Sequence, residues 1–324
     1  MTNTKWLSAL LAGTALTVAS TAAMADSSFL TMSRNAAGQG VTFSVAPTAD
    51  MPAAATSVTI SGAVGQWIES IDNGNTETEF QTEADLTFSA STDTAIGNVS
   101  VTANANLESS TWSSYVGSLE FAPGATISGG FGGVYKADAY TAAGTFNATG
   151  VGDAAGSREH LAVAFASGPV NFGAMVFQGS DGYNAIGAMI GGDFGGANIK
   201  GVVQADEQDD FLAGIQASFA IDMFSLAVAA NSGKGNPVGG TRDTDVNSGE
   251  NWTSMTATAS IAPMEGWKLA ASYGTEDNTD DNNEDSSYTF SASWAPVAQY
   301  EVIAAYNEHD DGDQTLGVGV WFKF

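Results

Sequence analysis

Apolar and polar residues alternate along most of this chain with a period of two. The C-terminal stretch Gln314 to Phe324 shows it plainly: Leu316, Val318, Val320, Phe322 and Phe324 share one parity, and Gly317, Gly319, Trp321 and Lys323 the other. Successive side chains of a strand point to opposite faces, so this is a strand with one apolar face that runs to a terminal aromatic. From Ser57 onward the same rhythm recurs in about sixteen segments of roughly 8 to 13 residues, bounded by turn residues. They begin near 57–70 and 79–91 and end near 299–307 and 313–324.

The connections alternate as well. Even-numbered segments are followed by tight turns such as Ala122-Pro123-Gly124, Ser167-Gly168-Pro169 and Ala220-Ile221-Asp222, and odd-numbered ones by longer acidic loops such as Asp206 to Asp210, Glu276 to Asp285 and Glu308 to Asp313. This predicts an all-β fold: a transmembrane antiparallel up-and-down β-barrel with one rim of short turns and one of long loops. Charges inside the segments test it, since a Lys or Arg on the lipid face near the midplane costs about 2–4 kcal/mol. Glu69, Glu83, Asp85, Glu120, Lys200, Lys268, Glu301 and Lys323 all stand opposite in parity to the apolar residues of their own segments; Glu159, at the lip of a loop, is the exception. Aromatics collect at the segment ends, Phe121, Trp267, Trp294, Tyr300 and Phe324 at one rim and Tyr273, Tyr288 and Tyr306 at the other, which suits two interfacial girdles.

Residues 1–25 carry Lys5, an apolar run from Leu7 to Val18 and then Ala23-Met24-Ala25, the pattern of a cleaved secretory signal. The run falls short of the roughly 20 apolar residues of a spanning helix. Residues 26–56 are a separate N-terminal segment, with Phe29, Leu30, Arg34, Val41 and Phe43 and then an Ala/Pro-rich piece from Ala46 to Ala55. It reads as a periplasmic arm, with an extra strand or a plug in the lumen as the alternatives. The barrel occupies 57–324.

Composition narrows the function. The chain has no cysteine, so neither disulfides nor thiolate-bound metal hold it. With 38 Gly, 10% aromatic and only 14% charged residues it matches neither an ordinary soluble domain nor a disordered one. The net charge of −27 argues against a nucleic-acid partner and for concentration of cations.

One connection breaks the rhythm. The stretch Val134 to Ser157 is long yet carries only Lys136, Asp138 and Asp153 as charges, beside Tyr135, Tyr140 and Phe146. A long loop this apolar is expected to fold inward, not to stand in solvent. Here the chain resembles the general diffusion porins of Gram-negative bacteria: Ser114 to Gly133 is similar to the hairpin before their constriction loop, and Arg158 to Gln178, with its Ser167-Gly168-Pro169 turn, to the returning strands. The resemblance implies a homotrimer of sixteen-stranded barrels in the outer membrane, in contact with lipid and lipopolysaccharide. Each barrel would be a passive water-filled channel for ions and small hydrophilic solutes, narrowed by the third outer loop. Many such porins set acidic loop residues against arginines on the wall. This chain departs from that, since Glu69, Glu83 and Asp85 stand on the water side of its early strands, and only Arg158, Lys136 and His160 are placed to bring positive charge to the narrowing.

The expected pore lining is therefore Glu69, Glu83, Asp85, Glu120, Arg158, His160, Lys200, Lys268 and Glu301, with carboxylates in excess and a weak preference for cations. Calcium on the acidic Glu276 to Asp285 stretch is a secondary reading, set against a merely solvated loop, because the EF-hand spacing is missing. No cofactor is required. The only histidines, His160 and His309, are far apart and there is no Gly-x-Ser-x-Gly elbow, so catalysis is not expected. A plugged barrel with an adhesive or structural role is the alternative to an open channel.

Overall fold

A computed structural model describes residues 30–34, 40–45, 56–72, 74–133, 157–178, 184–235, 250–278 and 283–324. Among them there is no helix, only strands in one sheet. Two short strands come first, β1 (Leu30–Arg34) and β2 (Val41–Val45), followed by the long pair β3 (Thr56–Asp72) and β4 (Thr76–Thr94). Next are β5 (Gly97–Asn106), β6 (Thr111–Ala122), β7 (Ala125–Gly133), β8 (Ser157–Ser167), β9 (Val170–Gln178), β10 (Asn184–Asp193) and β11 (Ala197–Asp206). The last seven are β12 (Phe211–Ile221), β13 (Phe224–Lys234), β14 (Asn251–Ile261), β15 (Trp267–Asn278), β16 (Asn283–Val297), β17 (Tyr300–His309) and β18 (Gln314–Lys323).

Each strand from β3 to β18 pairs antiparallel with the next, and β18 returns to β3, from Gln314↔Asp72 to Lys323↔Ala63. Closure makes a barrel of 16 strands, with no edge left along the paired lengths. The seam continues past the last strand: Phe324 and Gly62 exchange two backbone hydrogen bonds of 2.9 Å, and β2 then takes up the same edge of β3, from Val41↔Ile60 to Val45↔Thr56. Residues 30–34 and 41–45 are thus paired strands where an arm was expected, and the extra-strand alternative describes them. Five residues at the start of β3 would otherwise have an unpaired edge, which backbone polar groups do not tolerate well.

Valine neighbours show which face is which. Val202 is 3% exposed and Val203 54%, because a closed sheet crowds its concave side and spreads its convex side. The convex parity carries the exposed apolar side chains Ile186, Ile190, Ile215, Phe290, Leu316 and Val318, an outward apolar band as the alternation predicted. Glu159 lies on this outward parity opposite Phe131, exposed at the start of β8.

The structure also extends some strands. The pairing of β15 with β16 runs to Asn278↔Asn283, so Glu276, Asp277, Glu284 and Asp285 lie in a hairpin where a loop was expected. Likewise β3 and β4 pair up to Asp72↔Thr76, while β5 reaches β4 only as far as Asn106↔Asp85. Beyond the apolar band nothing forces a strand to stop, and Thr- and Ser-rich stretches keep pairing.

At the opposite rim the turns are tight. Gly97 (φ 134°) sits so near β6 that a Cβ there would lie 1.9 Å from the Glu120 carbonyl oxygen, which explains the glycine after Ile96.

Candidate pore lining

The inner face of the barrel is built from one parity of every strand, and its character changes around the circumference. On β4 that parity reads Glu77, Glu79, Gln81, Glu83, Asp85, Thr87, Ser89, Ser91 and Asp93, without an apolar residue. Its partners on β3 include Glu69 opposite Glu79 and Gly65 opposite Glu83. Glu69 is buried at 2% exposure and accepts a hydrogen bond from Trp67 Nε1 at 3.4 Å. Glu69, Glu83 and Asp85, singled out from the sequence, are therefore brought together on adjacent strands, joined by Glu77 and Glu79. Glu77 was missed because the strand extends further than its apolar pattern, and Glu79, the first residue of its predicted segment, was on the right parity but was not picked out.

Neutral polar groups form a second lining. Directly opposed inner residues hydrogen-bond across the strands: Ser57 with Ser91 at 2.8 Å, Thr87 Oγ1 to Asn104 Oδ1 at 2.6 Å, Ser100 with Ser118 at 2.7 Å, Thr258 with Ser272 at 2.8 Å and Thr289 Oγ1 to Asn307 Oδ1 at 2.7 Å. These pairs satisfy buried hydroxyl and amide groups without spending charge, and hold the wall rigid.

The third lining is apolar and buried. On β8, β9 and β10 the inner parity brings Ala162, Met175, Phe177 and Ala185 together, and on β11 to β14 Val202, Leu212, Ala229 and Trp252. Trp252, 1% exposed, donates Nε1–H to the Gly235 carbonyl at 2.7 Å and lies over Gly233. The seam repeats this device, with Trp321 over Gly65, Trp67 beside Gly319, and the two indoles stacked 6.2 Å apart. A glycine opposite each indole leaves the ring room to lie flat on the wall.

Positive groups are few and scattered. Arg158 and His160 share the inner parity of β8, where His160 Nδ1 lies 3.1 Å from the Arg158 carbonyl oxygen. Lys200 is on β11 and Lys268 on β15, each on the inner parity and far from the other in sheet order. Glu301 is held by Lys323 at 2.6 Å, so these two charges neutralise each other. Glu120, at the end of β6, accepts the Gly124 backbone N–H at 3.1 Å and acts as a turn cap at the rim. The expected constriction residues Tyr135, Lys136, Asp138, Tyr140, Phe146 and Asp153 lie outside the described residues. Among the described residues no group of three or more His, Asp or Glu side chains is arranged to hold a metal ion. Of the acidic stretch read as a calcium candidate, Asp280 and Asp281 also fall outside them.

No family model and no curated protein matches the chain. Solved structures do. The OmpF porin of Salmonella typhi, in complex with daunomycin, superposes with a TM-score of 0.67 at 13% identity over 83% of this chain and 98% of its own. An anion-selective porin from Comamonas acidovorans gives 0.63 at 13% identity over 83% of this chain and 100% of its own. The trimer form of OmpT, an outer membrane protein of Vibrio cholerae, gives 0.63 at 11% identity over 83% and 99%. At such identities the likeness speaks for the fold, and the fold of this chain is the sixteen-stranded barrel of the porins.

Proposed function

We propose that this protein is a porin of the bacterial outer membrane, a water-filled channel through which ions and small hydrophilic solutes diffuse passively. The observation that carries the proposal is the closed barrel with an apolar convex band and a concave face of hydrogen-bonded polar groups and carboxylates. A barrel of about sixteen strands is wide enough to keep an aqueous passage. The comparison structures, porins and outer-membrane channels among them, support the same conclusion.

Selectivity is weakly for cations. Glu69, Glu77, Glu79, Glu83 and Asp85 form an acidic track with no base among the inner residues of β3 and β4, and carboxylates in a confined pore raise the local cation concentration. Glu301 contributes little because Lys323 pairs with it, and Arg158, His160, Lys200 and Lys268 temper the preference from other sectors of the wall.

We further propose, from the sequence, that the stretch Val134 to Ser157 narrows the passage, with Tyr135, Lys136, Asp138, Tyr140, Phe146 and Asp153 as its constriction residues. The protein works as a homotrimer among lipid and lipopolysaccharide, a reading to which the trimer form of one similar barrel lends support. We assign it no catalytic role and no cofactor. The plugged-barrel alternative gains nothing from residues 30–34 and 41–45, which are spent on extending the sheet.

Single-channel recording of the purified protein in a planar bilayer tests the proposal. Stepwise conductance, in steps of three for a trimer, with a reversal potential of cation sign in a salt gradient is expected. Absence of steps would remove the channel, and an anion-sign potential would remove the selectivity.

A further inference from the structure

The wall of the barrel steps down between β4 and β5. On one side β4 is paired with β3 up to Asp72↔Thr76, and β3 in turn with β18 up to Gln314↔Asp72, so the upper part of β4 belongs to a continuous sheet. On the other side its pairing with β5 ends at Asp85↔Asn106, closed by Leu107 N–H donating to the Ala84 carbonyl at 2.7 Å. The N–H and C=O of one residue point to the same side of a strand, and the side alternates from residue to residue. The Ala84 bond therefore places the backbone groups of the even-numbered residues of β4 on the β5 side. Above it, those of Thr82, Phe80, Thr78 and Thr76 meet no strand among the described residues. From Thr76 to Glu83 this leaves an open sheet edge about 26 Å long.

An open edge is a template for a further strand, and proteins blunt such edges with proline, bulges or charge. Here there is no proline and the register with β3 runs unbroken, so charge is the device left to choose the partner. Along this edge Glu77, Glu79 and Glu83 stand on the inner face, while Phe80 on the outer face is 85% exposed with Ile68 opposite it on β3. Residues 56–122 contain no lysine, arginine or histidine, so no base on β3 to β6 balances these carboxylates. The same edge of a second copy would set glutamate against glutamate, which is unfavourable for residues directly opposite across strands. A strand with basic side chains on one face and apolar ones on the other matches both faces at once. We infer that Thr76 to Glu83 is a docking edge for an extended segment of another polypeptide, with lysine or arginine alternating with apolar residues, which adds to the sheet as one more strand. This goes beyond the channel reading and depends on the wall of the barrel, not on conduction.

Fluorescence anisotropy of a labelled peptide of about ten residues alternating lysine and valine, titrated with the processed full chain in maltoside micelles, tests it. The peptide should bind and be released by salt, and an alternating glutamate and valine peptide should not bind. Thr78→Pro removes an N–H from the open edge and none from the β3 ladder, and should weaken binding about tenfold. Glu77→Gln combined with Glu79→Gln should weaken it about fivefold. Failure of the lysine peptide to bind, or equal binding of the glutamate peptide, would overturn the inference. Loss in the charge variant with full binding to Thr78→Pro would assign the peptide to the acidic lumen and overturn the edge. An oligomer that Thr78→Pro splits, with peptide bound only to the separated barrels, would give the edge to a second copy and overturn the basic partner. Heat-modifiable migration on a gel checks that each variant is a folded barrel. Should Thr78→Pro fail to fold, two lysine–valine peptides N-methylated at alternate residues, one on the valines and one on the lysines, decide on the wild type. Pairing at an edge uses the N–H groups of one set only, so one peptide should bind and the other not, and equal behaviour of the two would overturn the edge. A barrel that binds the peptide but gives no conductance would remove the channel and leave this edge standing.

Discussion

The wall at β3 and β4 and the wall at β9 to β14 are made of the same element and differ in what they present inward. Within the first, β4 carries a carboxylate at most inner positions of its upper half, from Glu77 to Asp85, and a run of hydroxyls below, while β3 adds Glu69 next to the buried Trp67 of the seam. The second buries Met175, Phe177, Val202, Leu212 and Trp252 on the corresponding face. Period-two alternation holds in both, since each keeps an apolar outward parity. The difference teaches that the outward face keeps its apolar band in both sectors, whereas the inward face varies and so carries what is particular to this protein. Charge is concentrated on β4, and packing on β9 to β14 and at the seam.

Variants can break that contrast or sharpen it. Trp252→Ala removes an indole at 1% exposure and its hydrogen bond to Gly235. A loss of about 3–5 kcal/mol is expected, the usual cost of deleting a buried large aromatic, seen as a lower temperature for loss of heat-modifiable migration, with ion preference unchanged. Gly233→Ala tests the same packing from beneath, because its Cβ would lie 2.4 Å from the Phe211 carbonyl oxygen and 2.7 Å from the Trp252 ring. We expect about 1–3 kcal/mol of destabilisation, typical of overpacking, read from the urea midpoint.

The double change Glu83→Gln and Asp85→Asn should do the reverse. Stability should stay level or rise as like charges two residues apart are removed, and the reversal potential in a salt gradient should move toward zero. A fall in stability with unchanged selectivity would mean that the acidic sector is structural after all. Lys323→Gln should have the smallest effect on stability, since the partly exposed pair with Glu301 is worth only about 0.2–1 kcal/mol. It frees the Glu301 carboxylate, so a slightly stronger cation preference should accompany it in the same recordings.

Much of this was legible in the chain itself because one simple rule, an apolar outward parity, recurs from strand to strand. The parity of Leu316 to Phe324 and the inward placement of Glu83, Asp85 and Lys200 follow from alternation alone, and the tight turn at Ser167-Gly168-Pro169 from its turn residues. Three features did not. The upper reaches of β4 and β15 lie beyond the apolar band, where Thr76 to Thr78 and Glu276 to Asn278 look like loop because no outward hydrophobic marks them. The Trp252 and Gly233 partnership depends on register between strands, which local sequence does not carry. The short β1 and β2 have too few alternating residues to stand out, and pair only because β3 offers a vacant edge.

That edge also bears on how the molecule comes to be. Residues near the two ends of the chain lie in line along one strand, Phe324 bonded to Gly62 and Val41 paired with Ile60 a step further on. Local hairpins elsewhere join residues close in sequence, but this junction joins Phe324 to Gly62. Its contacts span most of the polypeptide, and the entropy of bringing such distant segments together makes ring closure the slow, late event of assembly.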